Sequence, residues 1–146
     1  MGPVAKPIPE GFSTVTPYFA VQGVPKLMEF LKQAFDAREL HRQTKPNGEV
    51  AHAAMRVGNS TLMLGELPPE RKPMLAMLYM YVEDVDAVYQ RALASGGKPM
   101  LEPTNQFYGD RSGALYDPAG NQWWIATRLE DLSQEELEQR MRTAKH

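Results

Sequence analysis

Residues 106–127, QFYGDRSGALYDPAGNQWWIAT, join an aromatic loop, a tight Asp-Pro-x-Gly turn and a final aromatic strand, and their order decides how the rest of the chain is read. Asp117 opens the turn, with Pro118 and Gly120 setting its backbone. Outward from it, runs near Lys98 to Glu102, Gly113 to Tyr116 and Gln122 to Thr127 read as strands. Ahead of them, Leu75 to Val82 reads as a strand leading into a helix whose apolar positions are Val85, Val88, Tyr89 and Ala92. Asp84 is the N-cap of that helix and Gly96 its C-terminal stop. Together these elements form a βαβββ module.

The first half has the same order. Ser13 to Val21 reads as a strand, and Val24, Leu27, Met28, Leu31 and Phe35 recur at helical spacing with Pro25 in the first turn. Three strand-like runs follow, near Leu40 to Thr44, Glu49 to Val57 and Thr61 to Glu66, separated by Pro46-Asn47-Gly48 and Gly58-Asn59-Ser60. The strand-to-helix junctions at Val21 and Val82 lie about 61 residues apart, which points to structural duplication. The chain therefore reads as one α+β domain. Module one spans about 13–66, a proline-rich linker 67–74, module two about 75–128 and a short terminal helix about 133–143. In that helix Ser133 and Glu136 form a capping box, Leu132 and Leu137 a hydrophobic staple, and Glu136-Arg140 and Glu138-Arg142 favourable pairs.

Composition bounds the function. A chain of 146 residues with 42% apolar and 23% charged content can bury a real core, and no apolar run is long enough to cross a bilayer. Met1 to Gly11 lacks the apolar centre of a secretory signal, and the absence of cysteine removes disulfides and thiolate sites, so a cytoplasmic location is expected. The net charge of -2 comes from interspersed acids and bases without a Lys/Arg block, so no nucleic-acid partner is expected. There is no GxGxxG, P-loop, HExxH or GxSxG motif.

With YVEDVDAV at 81–88, QFYGDRSG at 106–113 and DPAGNQW at 117–123, the chain resembles the vicinal oxygen chelate superfamily of glyoxalases, bleomycin-resistance proteins and extradiol dioxygenases, and within it the PhnB-like group. The resemblance implies two βαβββ modules pairing into a curved mixed sheet around a cavity, commonly in homodimers that complete the site. It also implies a divalent metal held by His and Glu on the cavity-facing strands. The corresponding residues here are Thr16, Met63, Met77 and Trp124. Thr and Met are poor donors for such a site and the indole of Trp124 only donates. No cofactor is expected on these grounds, while a divalent metal held by other residues stays open.

Of the three histidines, His146 is the last residue and His41 lies beside Arg42 on a charged strand, so both read as solvated. His52 shares a strand face with Val50, Ala54 and Arg56 and is the candidate catalytic base or metal ligand, with satisfaction by a backbone group as the bland alternative. Glu66 is the one carboxylate near a ligand-like place, readable as a partner of His52 or as a strand-end charge. Met77, Tyr79 and Tyr81 share one strand face, Trp124 shares its own with Gln122 and Ala126, and Phe107 and Tyr108 lie on the loop. Such aromatic and thioether groups suit a pocket for a flat or irregular apolar ligand. Trp123, Phe19 and Met55 read as core. Asp110 and Arg111 read as loop braces, with Arg111 also a candidate anchor for ligand.

The expected ligand-binding set is thus Thr16, His52, Met63, Met77, Tyr79, Tyr108, Arg111 and Trp124. Three readings follow: a metal-free protein sequestering a small aromatic or apolar molecule in a dimeric cavity; a lyase, isomerase or dioxygenase using His52; and a structural or regulatory dimer without a ligand.

Overall fold

Each half of the chain builds a four-stranded sheet backed by a helix, in a computed structural model that describes residues 5–144. His146 and the start of the Met1 to Gly11 segment lie outside the described residues. One compact unit runs to Ala76 and the second begins at Met77.

The first unit contains β1 (Tyr18–Val21), α1 (Val24–Phe35), β2 (Arg38–Thr44), β3 (Val50–Val57) and β4 (Ser60–Glu66), with sheet order β1-β4-β3-β2. β1 pairs with β4 in parallel and the other pairs are antiparallel. The second repeats this with β5 (Met77–Tyr81), α2 (Val85–Ala94), β6 (Lys98–Asn105), β7 (Asp110–Tyr116) and β8 (Gln122–Arg128), in the order β5-β8-β7-β6. α3 (Gln134–Thr143) follows. This is the α+β arrangement of two βαβββ modules and a terminal helix that the sequence patterns predict. The spacing of about 61 residues recurs in the register, since Tyr18 pairs with Met63 and Tyr79 with Trp124.

Alternation along the strands sorts each unit into a helix face and an open face. Phe19, Val21, Met55, Leu62 and Leu64 pack under α1, which buries Val24, Leu27, Met28, Phe30, Leu31 and Phe35. Leu115, Trp123 and Ile125 pack under α2, which buries Val85, Tyr89 and Ala92. Phe19, Met55 and Trp123 are therefore core, as their pattern predicts. Asp84 caps α2 through the Ala87 N–H at 3.2 Å. α1 has Gly23 at its N-cap, with φ 92° and no side chain to offer.

Several boundaries differ from the sequence reading. β1 starts at Tyr18 rather than Ser13, because Pro17 has no N–H for the ladder and contributes only its carbonyl, bonded by the Met63 N–H at 2.9 Å. Thr16 is therefore outside the strand. β7 starts at Asp110 rather than Gly113, since Asp110 and Arg111 pair with Arg128 and Thr127, so both are strand residues instead of loop residues. In α3 the capping box is present, but Arg140 makes two bonds to Glu130, at 3.0 and 2.8 Å, instead of pairing with Glu136. Glu138 accepts from Gln134 at 3.2 Å. No described helix is long and apolar enough to cross a membrane.

Candidate functional site

The open face of the second unit carries Met77, Tyr79 and Tyr81 on β5, Gln122, Trp124, Ala126 and Arg128 on β8, and Asp110, Ser112, Ala114 and Tyr116 on β7. Met77 is 62% exposed, Tyr79 41% and Tyr81 58%, an unusual aromatic and thioether surface for a sheet face. Trp124 is half-buried in the row Tyr79, Trp124, Ala114, its indole N–H donating to Gln122 at 3.2 Å.

Asp110 anchors this face. It is 2% exposed, and its Oδ2 accepts from the Tyr79 hydroxyl at 2.8 Å and the Tyr81 hydroxyl at 2.9 Å. The two rings lie 5.4 Å apart between centroids. Tyr108 lies on the loop between β6 and β7, close enough to the same cluster to raise the Tyr79 pKa. Burial, then Tyr108 and Asp110, push the Tyr79 phenol up, and the bond to Asp110 followed by burial pushes Tyr81 up, so both stay neutral phenols at physiological pH. Asp110 Oδ1 has no hydrogen-bond partner among the described residues, and the Arg128 guanidinium stands 3.8 Å away, in ion-pair range only. A cleft of about 700 Å3 lined by Tyr81, Val82, Glu83, Thr127 and Arg128 opens beside the cluster.

Arg111 does not join this group. It has the opposite parity to Asp110 and points to the α2 side, where it makes two bonds to Asp86 at 2.8 and 2.9 Å and one to Asn105 at 3.0 Å. The expectation that Arg111 shares a pocket with Tyr79 and Trp124 fails on alternation alone.

On the first unit's open face Tyr18, Met63, His52, Ala54 and Arg56 lie together with His41 and Gln43 of β2. His52 sits between Tyr18 and His41, with ring centroids 5.8 and 5.6 Å away. Its Nδ1 is buried without a hydrogen-bond partner among the described residues, and burial, then the neighbouring His41, hold its pKa below the usual histidine value. The Tyr18 hydroxyl lies over Gly65, where a Cβ would collide with it and come within 2.9 Å of the ring carbon Cζ. Arg56 is committed to the Gly11 carbonyl and Thr61 at 2.8 and 3.0 Å. Thr16 is half-buried ahead of β1, and Tyr18 takes the place opposite Met63.

These residues do not fit the metal that the sequence resemblance implies. The paired positions at the parallel strand junctions hold Tyr18 with Met63 and Tyr79 with Trp124. Glu66 faces α1, opposite to His52, and accepts from the Gly23 and Val24 N–H groups, so it neither partners His52 nor stands as a solvated strand-end charge. Among the described residues no three His, Cys, Asp or Glu side chains converge.

Sequence reasoning missed Asp110 as the hub of the aromatic face. Its signal was available in parity with Ser112 and Ala114, had β7 been started two residues after Tyr108.

The sequence pattern of the Glyoxalase/Bleomycin resistance protein/Dioxygenase superfamily matches residues 13–125. The uncharacterized protein Mb0911c of Mycobacterium bovis is 30% identical over 138 residues, covering 87% of this chain and 91% of that one. TioX from Micromonospora sp. ML1 shares the fold with a TM-score of 0.65 and 20% identity, covering 83% of this chain and 100% of its own. The PhnB protein from Bacillus cereus does so at a TM-score of 0.66 and 18% identity, covering 79% of this chain and 99% of its own. With two βαβββ modules and a sequence match over most of its length, the chain belongs to the glyoxalase/bleomycin resistance protein/dioxygenase superfamily.

Proposed function

We propose that this protein binds a small aromatic or apolar molecule against the open face of its second unit, without a catalytic metal, as a homodimer. The observation that carries this reading is the exposed wall of Met77, Tyr79 and Tyr81 braced by the buried Asp110. Holding phenol rings by their hydroxyls fixes them before a ligand arrives, which lowers the ordering cost of binding. Trp124 and Tyr108 extend the wall, and the donor set argues against a role for metal.

The test is titration of the protein with a panel of aromatic compounds, following the emission of a Trp123→Phe variant in which Trp124 is the sole indole. Saturable quenching that Tyr79→Ala weakens supports the reading; a panel that leaves emission unchanged at millimolar concentration sinks it. Sedimentation at micromolar concentration tests the dimer.

A second reading rests on His52. A neutral imidazole with an unpartnered buried Nδ1, flanked by Tyr18 and His41, is suited to accepting a proton from a substrate held on the first unit's face. Turnover of any substrate that His52→Gln abolishes without loss of fold would favour it.

A further inference from the structure

The direction of the hydrogen bonds around Asp110 constrains what the aromatic face can recognise. A phenol has one proton, and Tyr79 and Tyr81 both give theirs to Asp110 Oδ2. The hydroxyl oxygens therefore offer only lone pairs to the open side. Two buried oxygens on the same face of β7, Asp110 Oδ1 and Ser112 Oγ, have no hydrogen-bond partner among the described residues.

Charge points the same way. Arg128 stands 3.8 Å from Asp110 and is held more closely by Asp131 at 2.9 Å, so two carboxylates share one guanidinium. Lys98, the other cation on this face, is opposite Tyr116 at the far end of β7 from Asp110. A cluster of acceptors with a surplus negative charge, walled by electron-rich rings, favours a cation that also donates hydrogen bonds.

We propose that the open face of the second unit selects molecules carrying a protonated amine on an aromatic or apolar body, the ammonium lodging among Tyr79, Tyr81 and Asp110. This rests on the reading that the face binds a small molecule, and specifies the class. An anionic ligand of the same shape is disfavoured, and a neutral one loses the charge-assisted bonds.

The experiment is calorimetric titration of the full chain at pH 7 with phenethylammonium, 2-phenylethanol and phenylacetate. The expected order is ammonium tighter than alcohol by about ten-fold or more, with the carboxylate weakest. Asp110→Asn is expected to bring the ratio of ammonium to alcohol affinity close to one. Because Asp110 is buried and its replacement can disturb folding, Tyr79→Phe and Tyr81→Phe give a second route: each keeps the ring, removes one acceptor and is expected to lower the same ratio several-fold. Equal affinity for ammonium and alcohol in the unaltered protein overturns the amine selection while leaving the binding face standing. Absence of binding by all three overturns both.

Discussion

Glu66 and Thr127 hold the same post in the two units: Glu66 is the last residue of β4 and Thr127 the next-to-last of β8, the strands that pair in parallel with each unit's first strand, and each accepts the backbone N–H that opens its unit's helix. Glu66 Oε1 takes the Val24 N–H at 2.9 Å and Thr127 Oγ1 takes the Val85 N–H at 2.8 Å. Glu66 also takes the Gly23 N–H at 2.9 Å, and Thr127 donates to the Val82 carbonyl at 2.9 Å. α2 keeps Asp84 as a cap of its own, whereas α1 has only Gly23. Glu66→Ala is therefore expected to cost about 1–2 kcal/mol and Thr127→Ala about 1 kcal/mol. Urea denaturation at pH 7 checks this, and a Glu66→Ala protein as stable as the parent would contradict it.

Asp117 makes a second prediction. Its carboxylate is buried and accepts from the Ala119 and Asn121 N–H groups, the Asn121 amide and the Trp123 indole at 2.9 Å. Asp117→Ala strands several buried donors at once and is expected to cost about 3 kcal/mol or more. Asp117→Asn keeps the volume but turns one of the two acceptor oxygens into a donor and is expected to be intermediate. Thermal unfolding followed by near-ultraviolet dichroism of Trp123 reads both.

The pH dependence follows from His52. Its folded pKa lies below the ordinary value of 6.5, so the unfolded chain binds the proton more readily. This group's contribution to stability is intact above pH 6.5 and is lost as the pH falls from 6.5 towards the folded pKa. His52→Gln is expected to lose less Tm than the parent between pH 7.5 and 5.5. Parallel Tm curves for the two proteins would show that His52 does not set the slope.

Arg111 and Tyr79 should separate cleanly. The Arg111 to Asp86 ion pair is partly solvated and lies on the helix side, so Arg111→Ala is expected to cost less than about 1 kcal/mol of stability and to leave ligand affinity within about two-fold. Tyr79→Ala removes a braced ring from the open face and is expected to weaken binding by about ten-fold or more. Comparable losses of affinity in the two variants would mean that Arg111 reaches the ligand.

Chelation gives the remaining prediction. With no converging set of metal donors among the described residues, treatment with excess chelator followed by dialysis is expected to leave ligand affinity and Tm unchanged. A fall in either that zinc or manganese restores would relocate the chemistry to a metal.

Much of this architecture was legible because it is written in local patterns. The helical spacing of Leu27, Met28 and Leu31, the Asp84 cap and the Asp-Pro-x-Gly turn each need only a few neighbouring residues to be read. The candidate site was legible only in part. Tyr79, Trp124 and Met77 were found by alternation, but Asp110 and Tyr79 are 31 residues apart and no local pattern announces their bond. Asp110 and Arg111 look like loop residues until Arg128 and Thr127 are seen pairing opposite them. That pairing fixes the parity that turns Asp110 to the open face and Arg111 to the helix. Glu66 misled for the same reason, since one residue of parity decides whether it meets His52 or α1.

The two-faced sheet also bears on how such a chain can change. Residues that hold the fold, such as Phe19, Leu64, Trp123 and Ile125, occupy one parity, and residues of the open faces, such as Met63, Tyr79 and Trp124, occupy the other. Substitutions at alternate strand positions can therefore explore new molecules while the buried layer stays untouched. Because the two units repeat the same register, one open face can change while its twin is held, so a lineage carries two faces for trial on one frame.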